Sequence, residues 1–275
     1  MRYIVTGSTG FIGRNTVKAL LESGNQVEAI TTNSAIPSNI LDCINGSKLH
    51  LVRSLSSIPR SLLNSSTIIH CAWNNVQNIQ DNSHFDHIAQ QIDFLNLVAK
   101  SNAKKLLITG TCYEFGMKQG PMSVRDETAP NTPYAKAKEI VHQKALEIIC
   151  KDTNIDFTWA RLFYTYGKGQ HLLSFYTQLM AAIKSNEEFF NMSSGKQLYD
   201  YMEVGEVANA LCQAAMKKCP KIIHICNGHP VSLRNLAEEI IADQNSALKL
   251  NLGHFPDRAQ ASIALWGAES FSSQI

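Results

Sequence analysis

Short apolar segments rich in β-branched residues alternate along the chain with longer segments whose apolar residues recur every three or four positions. The strand-like segments are Arg2–Thr6, Gln26–Thr31, Leu49–Arg53, Thr67–His70, Leu106–Thr109, Phe157–Leu162 and Ile222–Cys226. The helical pattern involves Ile12, Val17, Leu20 and Leu21, then Ile88, Ile92, Leu95 and Ala99, then Ala137, Ile140, Val141 and Ile148, and finally Leu233, Leu236, Ile240 and Ile241. Strands that alternate with helices predict an α/β fold with a doubly wound parallel sheet.

The regular alternation of strands and helices ends after Tyr166, where mixed helical and loop patterns begin. We therefore expect residues 1–165 to form the core around the sheet, and residues 200–226 to return to it. The remaining residues, 166–199 and 227–275, are expected to form a smaller, discontinuous C-terminal region that binds a substrate.

Three glycines, Gly7, Gly10 and Gly13, lie where the first strand gives way to a helical pattern that begins at Phe11. Glycines at such a turn allow the backbone to approach a pyrophosphate closely, and the free N–H groups at the helix start attract the anion. Gly24 is typical of the end of that helix. A strand, a glycine turn and a helix in this order indicate a dinucleotide-binding unit.

Composition narrows the class of protein. The chain has 275 residues, 44% of them hydrophobic, enough for one large α/β domain with a smaller appended part. The net charge of +2 is too small to indicate a nucleic-acid partner, and the seven cysteines, an odd number without a Cys-x-x-Cys pair, favour a reducing compartment over disulfides or a metal site. No apolar run approaches the roughly 18 residues of a membrane span. With the first strand at Arg2, we expect a soluble, cytoplasmic protein without a signal peptide or membrane contact.

One helix start carries candidate acid–base chemistry. Thr132 suits the N-cap and Pro133 the first helical position. Tyr134 and Lys138 follow four residues apart and therefore share a helix face. A neighbouring ammonium lowers the pKa of a phenol from about 10, which would allow proton exchange nearer neutral pH. The two residues alone fit a capped surface helix with an incidental tyrosine and lysine equally well.

Six segments taken together carry a family resemblance. They are Gly-x-x-Gly-x-x-Gly at 7–13, His70-Cys71-Ala72-Trp73, Thr109-Gly110-Thr111-Cys112-Tyr113-Glu114-Phe115-Gly116, Tyr-x-x-x-Lys at 134–138, Arg161–Gln170 and Tyr199–Ala208. In this order and spacing they resemble the extended short-chain dehydrogenase/reductase family, the NAD-dependent epimerases, dehydratases and reductases of nucleotide sugars. The resemblance covers residues 1 to about 260. It implies a Rossmann-type fold and a nicotinamide cofactor.

The resemblance also implies a catalytic set of Thr111, Tyr134 and Lys138. The hydroxyl of Thr111, four residues before Phe115, would bond the reacting oxygen of the substrate. Tyr134 would donate or accept the proton. Lys138 would hold the nicotinamide ribose and adjust the pKa of Tyr134.

Further residues are assigned to the cofactor by the same resemblance. They are Gly7, Thr9, Gly10, Phe11, Ile12, Gly13, Arg14, Thr32, Asn33, Arg53, Cys71, Ala72, Trp73, Gln90, Tyr134, Lys138 and Leu162. The acidic residue that the family places after its second strand, for the ribose 2′-hydroxyl, is replaced by Thr31-Thr32-Asn33-Ser34. Hydroxyls and an amide tolerate a 2′-phosphate, and Arg14 could add positive charge to its site. We therefore expect NADPH to be favoured, with NADH possible.

The substrate contacts implied by the resemblance are Trp73, Cys112, Tyr113, Tyr164, Gln170 and Arg258. Arg258 matches an arginine that clamps the diphosphate of a sugar nucleotide, a task that suits the guanidinium fork. Tyr164 stands where the family has asparagine, so contacts inherited at that place are in doubt.

The residues after Thr111 separate the reactions of the family. Dehydratases carry Asp-Glu there, whereas this chain has Cys112 and Tyr113, which are poor general bases. We therefore expect reduction of a 4-keto-6-deoxy sugar linked to GDP or dTDP, in surface-polysaccharide synthesis. A 4-epimerase with tightly bound NAD is the alternative, and a dehydratase or a non-catalytic dinucleotide sensor comes after it. The partners we expect are the nucleotide sugar and a second copy of the chain in a homodimer.

Overall fold

The computed structural model describes residues 2–151, 153–257 and 263–274. Its strands are β1 (Arg2–Thr6), β2 (Gln26–Thr31), β3 (Lys48–Leu51), β4 (Thr67–His70), β5 (Lys105–Thr111), β6 (Gly120–Met122), β7 (Asp156–Leu162), β8 (Tyr164–Tyr166), β9 (Phe189–Asn191), β10 (Leu198–Tyr199), β11 (Tyr201–Glu203), β12 (Ile222–Ile225), β13 (Val231–Ser232), β14 (Lys249–Asn251) and β15 (Ala264–Gly267). Its α-helices are α1 (Phe11–Glu22), α2 (Ser38–Cys43), α3 (Arg60–Leu63), α4 (His87–Ala99), α5 (Pro133–Ala145), α6 (Phe175–Lys184), α7 (Val204–Met216) and α8 (Leu233–Asp243). Single turns of 3₁₀-helix span Leu55–Ser57, Asn82–Asp86, Cys112–Phe115 and Phe271–Ser273, and a π-helical turn, Leu146–Cys150, continues α5.

Seven strands form one sheet in the order β12-β7-β5-β4-β1-β2-β3, and every neighbouring pair is parallel. The chain moves outward from β1 to β3, crosses back to β4 and then builds the other half. Such a reversal leaves a crevice at the carboxyl ends of the central strands, where ligands bind in folds of this kind. The predicted Rossmann-like α/β fold with a parallel sheet is confirmed.

Successive residues of a strand pack alternately into two hydrophobic layers, one on each face of the sheet. Tyr3 and Val5 of β1 pack on the side of α1 and α7, whereas Ile4 packs on the side of α4 and α5. Side chains of a strand point to opposite faces in turn, so a sheet covered on both sides needs apolar residues at every position. This explains why the strands are continuous apolar runs in the sequence.

Three smaller sheets are formed by short strands, most of them after β7. β8 pairs with β11, β9 pairs with β14, and a mixed sheet has the order β13-β10-β15-β6. α6 and α8 pack together around Leu179, Leu236 and Ile240. β12 joins the main sheet beside β7, and α7 contributes to the core under α1. The division into 1–165, 166–199 with 227–275, and 200–226 stays a prediction.

The predicted bounds of strands β1, β2 and β4 agree with the structure. The fifth strand is longer than expected, since β5 continues to Thr111. Ile140 was expected on the buried face of its helix, but its side chain is exposed, and His142 is buried instead. Among the described residues, no helix is long and apolar enough to cross a membrane.

Candidate active site

The glycine turn between β1 and α1 leaves no room for side chains. Gly7 has a positive φ of 66°, and a Cβ there would lie 2.7 Å from the backbone nitrogen of Ala72, in the segment after β4. A Cβ on Gly13 would overlap the carbonyl group of Gly7, with 2.8 Å to its carbon. Both positions therefore require glycine, because the turn, the helix and the neighbouring segment touch through their backbones.

The start of α1 is open for an anion. Gly10 caps the helix without a side-chain hydrogen bond, and the first turn contains no acidic residue. Uncapped N–H groups and the helix dipole both favour a phosphate at this place. Thr9 Oγ1 lies 2.9 Å from Thr31 Oγ1, which links the turn to the end of β2. The cradle therefore fits a dinucleotide, as the sequence predicts, with Phe11 and Ile12 half-buried in the first turn.

Arg14 does not lie free beside the predicted 2′-phosphate site. Its guanidinium donates to the carbonyl oxygen of Gly169, in the loop after β8, and its side chain is largely buried. Burial lowers the pKa of Arg14. The side chain thus connects α1 to the loop after β8. The guanidinium that was expected to favour NADPH already donates to a carbonyl oxygen there.

A buried hydrogen-bond chain supports the end of β4. His70 Nδ1 lies 2.7 Å from Thr6 Oγ1, and His70 Nε2 lies 2.6 Å from Gln91 Oε1. The amide of Gln91 donates to the carbonyl oxygen of Ala72 at 3.2 Å. Burial lowers the pKa of His70 to about 3, so the ring is neutral. Gln90, which was predicted to bind the cofactor, is exposed on α4, and Gln91 is the residue that faces this end of the sheet.

Thr111 and Tyr134 meet beyond the carboxyl end of β5. Thr132 caps α5, accepting from the backbone N–H of Ala135 at 3.2 Å, and so sets where Tyr134 projects. Tyr134 lies beside Thr111, whose hydroxyl interacts with the phenol. Burial is the main cause of a raised pKa for Tyr134, and the interaction with the Thr111 hydroxyl opposes it. The phenol is therefore protonated, as a proton donor requires.

Lys138 is buried beneath these groups. Its ammonium donates to the carbonyl oxygen of Thr109 at 2.9 Å and lies 4.2 Å from the centre of the Trp73 ring. Burial lowers the pKa of Lys138 to about 8, although the nearby Glu114 carboxylate acts in the opposite direction. The sequence predicted that Lys138 would lower the pKa of Tyr134, but here burial dominates and the pKa is raised.

Aromatic side chains line one wall beside Tyr134. The ring of Tyr113 lies 6.4 Å from that of Tyr134 and 5.9 Å from that of Tyr164. Tyr164 in turn stacks on Tyr199 at 3.9 Å. Trp73 lies 6.0 Å from Tyr134 on another side. The predicted substrate residues Trp73, Tyr113 and Tyr164 are therefore brought together.

Two other predicted substrate residues are differently placed. Cys112 is 2% exposed and packs in an apolar cluster with Phe115 and Met122, so its thiol belongs to the core and does not face a substrate. The amide of Gln170 donates to the carbonyl oxygen of Thr165 in the preceding strand β8, at 3.0 Å. The predicted clamp, Arg258, lies outside the described residues.

The remaining cofactor candidates surround the crevice at the ends of the strands. Thr32 and Asn33 are exposed after β2, and Arg53 is exposed after β3. Cys71 and Leu162 are half-buried, at the ends of β4 and β7. These placements suit a dinucleotide laid across the carboxyl edge of the sheet, and the individual contacts stay predictions.

Sequence reasoning missed two groups at the site. His84 is buried between Trp73 and Tyr134, and its Nδ1 accepts from the indole N–H of Trp73 at 3.1 Å. Glu114 is completely buried behind Thr111. Its carboxylate points toward β7, where it accepts from Trp159 and Arg161. The only signal in the sequence was a charged residue within a segment that is otherwise apolar.

Comparisons with known proteins agree with this geometry. The sequence model of the NAD dependent epimerase/dehydratase family matches residues 3–226. The dTDP-6-deoxy-L-talose 4-dehydrogenase (NAD(+)) of Aggregatibacter actinomycetemcomitans is 30% identical over 273 residues, which cover 98% of this chain and 100% of that protein. The CDP-abequose synthase of Salmonella typhimurium is 26% identical over 223 residues, 75% of this chain and 67% of that one. A solved UDP-N-acetylglucosamine 4-epimerase from Methanobrevibacter ruminantium is similar in fold, with a TM-score of 0.85, 20% identity, and coverage of 99% of this chain and 91% of that one.

Proposed function

The chain belongs to the NAD-dependent epimerase/dehydratase family, and on this basis we propose that it is a 4-ketoreductase acting on a nucleotide-linked 6-deoxy sugar. Members of this family modify nucleotide sugars. The observation that carries the finer proposal is the full-length similarity to a dTDP-6-deoxy-L-talose 4-dehydrogenase, at 30% identity. Oxidation of a 4-hydroxyl and reduction of a 4-ketone are the two directions of one reaction, so a relative named for oxidation supports either. We propose dTDP as the nucleotide.

The residues divide the chemistry between them. NADH, whose pyrophosphate would be held at the turn of Gly7, Gly10 and Gly13, would supply the hydride for the ketone carbon. Tyr134, protonated by virtue of its burial, donates a proton to the ketone oxygen as negative charge develops there. Thr111 would orient that oxygen through its hydroxyl, which lies beside Tyr134. The ketone is thus reduced to an alcohol while NADH is oxidised to NAD⁺.

Elimination is disfavoured by the positions that follow Thr111. A dehydratase needs an acid and a base there, and this chain has a buried thiol at Cys112 and a phenol at Tyr113. Burial raises the pKa of Cys112, which keeps the thiol protonated. Reduction needs neither group, since one proton from Tyr134 is sufficient.

NAD(H) is the cofactor that we propose, in place of the NADPH preference expected from the sequence. The family is NAD-dependent and the similar dehydrogenase is named for NAD(+). Arg14, on which the NADPH preference partly depended, is bonded to the carbonyl oxygen of Gly169. The hydroxyls of Thr9 and Thr31 are the groups that link the glycine turn to the end of β2.

The experiment supplies a dTDP-4-keto-6-deoxy sugar with NADH and follows the nicotinamide absorbance. We expect one NADH oxidised per sugar, and a loss of about 10² or more in kcat for Tyr134→Phe with NAD affinity kept. Tyr176→Phe on α6 is the matched control, with the same chemical change outside the site. Epimerisation of a 4-hydroxy nucleotide sugar without net cofactor change would identify an epimerase instead. A Tyr134→Phe variant with nearly normal kcat would remove Tyr134 from the mechanism.

A further inference from the structure

The buried carboxylate of Glu114 accepts hydrogen bonds from three residues, Thr111, Trp159 and Arg161. Its Oε1 accepts from the backbone N–H of Thr111 at 2.9 Å and from the indole N–H of Trp159 at 3.1 Å. Its Oε2 accepts from Arg161 Nε at 2.5 Å. The carboxylate therefore joins the turn after β5 to two residues of β7, directly behind Thr111.

The Glu114 carboxylate lies among buried partners, in space that a glycine leaves open. Glu114 is 0% exposed, and Arg161 and Trp159 are 2% and 0% exposed. A Cβ on Gly110 would lie 2.7 Å from Trp159 Cε2 and 2.9 Å from Glu114 Oε1, so the glycine in β5 makes the space for the contact. The guanidinium of Arg161 also lies 5.0 Å from the centre of the Phe115 ring. A buried charge is tolerated only when it is paired and hydrogen-bonded in this way.

We propose that Glu114 is a positioning residue for the reaction: its carboxylate, held by Arg161 and Trp159, fixes Thr111 against Tyr134 and keeps a negative charge close to Tyr134 and Lys138. This inference rests on the proposed function of Thr111 and Tyr134 in proton transfer. Glu114 does not touch the substrate, because its side chain points toward β7, away from the aromatic wall.

The electrostatic part of the proposal has a definite direction. A negative charge disfavours the phenolate and favours the ammonium, so Glu114 adds to the burial that raises the pKa of Tyr134 and opposes the burial that lowers the pKa of Lys138. Both effects keep the site in the form that donates a proton. The titratable groups that face Tyr134 and Lys138 from the elements packed around them are His70, Cys71, His84, Cys112, Tyr113 and Glu114.

The cluster around Glu114 is better explained by this role than by a metal ion. Ligand atoms of Glu114, Glu139 and His142 lie within 4.8 Å of one another, which is a spacing that a cation could use. However, one oxygen of Glu114 already bonds Arg161, and a cation placed there would face the guanidinium. His142 stacks on Trp159 at 4.6 Å, so it packs the same network from the side of α5.

The test needs variants that separate the charge from mere stability. Glu114→Gln alone leaves Arg161 buried without its partner and is expected to fold poorly. The double variant Glu114→Leu with Arg161→Met removes both charges, keeps much of the volume and leaves no side-chain acceptor at position 114 for the backbone N–H of Thr111. Asp156→Asn is the matched control, because Asp156 pairs with Lys105 at 3.2 Å and so joins the same two strands at their opposite ends.

Three measurements are made on each full-length variant. For oxidation of the 4-hydroxy sugar by NAD⁺, where Tyr134 must lose its proton, the acidic limb of the kcat profile should move to lower pH by about one unit in the double variant. Its kcat for keto-sugar reduction should fall about tenfold or more, because Thr111 is no longer fixed. Deuterium exchange of the peptide 111–116 should become faster. Asp156→Asn should lower the melting temperature and change none of the three.

The outcomes distinguish this proposal from the proposed function. If the wild-type protein reduces no keto sugar, the proposed function fails, while the exchange measurement still tests the fixing of Thr111. If the double variant folds and shows the pH profile and kcat of the wild type, Glu114 is only structural and the proposal is overturned. An exchange rate at 111–116 equal to that of the wild type would overturn it as well.

Discussion

Replacement of Gly13 by alanine tests whether the cofactor cradle is formed by backbone contact. Gly13 lies in the first turn of α1, where alanine is normally preferred to glycine by about 1 kcal/mol. In this structure, however, a Cβ at position 13 would lie 2.8 Å from the carbonyl carbon of Gly7 and closer still to its oxygen. Ordinary contacts of this kind begin near 3.4 Å. The backbone of the turn cannot rotate away as a flexible side chain could.

The expected magnitude follows from these opposing effects. Forcing an extra methyl group into a well-packed contact costs about 1–3 kcal/mol, and the gain in helix propensity returns about 1 kcal/mol. We therefore expect Gly13→Ala to lower the free energy of unfolding by up to about 2 kcal/mol. Since α1 must move away from β1, its N–H groups leave the phosphate site. A loss of about 1.4 kcal/mol in binding raises the Kd for NAD about tenfold.

The measurements are thermal unfolding and calorimetric titration with NAD. Gly10→Ala serves as the matched control for stability, because a Cβ there would lie 3.2 Å from the oxygen of Gly7, a contact that small shifts can relieve. Gly10→Ala should therefore unfold close to the wild-type temperature. If Gly13→Ala proved as stable as Gly10→Ala and bound NAD as tightly as the wild type, the turn would be more adaptable than the structure indicates.

Two further predictions concern charge. Because Arg14 bonds the carbonyl oxygen of Gly169, Arg14→Ala should change the affinities for NAD and NADP together and leave their ratio unaltered; a selective loss of NADP affinity would restore its role at the 2′-phosphate. Burial first and Arg161 second lower the pKa of His224 to about 3. As the pH falls, His224 therefore binds a proton in the unfolded chain before it does so in the folded chain. Stability should thus be complete above pH 6.5 and fall as the pH drops toward 3, by up to about 1.4 kcal/mol per unit, and His224→Gln should make the fall shallower.

The order of strands and helices was predictable because it depends on local patterns. The continuous apolar run within Arg2–Thr6 predicts a strand that is covered on both faces, and β1 is buried in this way. The cap at Thr132 fixed the start of α5 for a similarly local reason. Ile140 was expected on the buried face of α5 but is exposed. The buried face carries His142 instead, whose ring stacks on Trp159.

The contents of the site were only partly predictable. Thr111, Tyr134 and Lys138 follow from a motif with fixed spacing, and the structure brings them together at the end of β5. Gln90 stays a predicted cofactor contact that is exposed on α4, whereas Gln91 beside it faces the sheet, since a shift of one residue on a helix turns a side chain by about 100°. Which of the two faces the sheet depends on the side of α4 that packs on β4.

By itself the sequence determined the fold class, and it predicted a glycine turn for the cofactor and a Tyr-x-x-x-Lys motif for catalysis, because each depends on residues close together in the chain. The tertiary structure alone decided what those residues touch. In the folded protein Arg14 donates to the carbonyl oxygen of Gly169, Cys112 packs in the core, and Glu114 pairs with Arg161 across two strands. Those contacts link positions up to 155 residues apart, and their burial and charge depend on packing that no local pattern records.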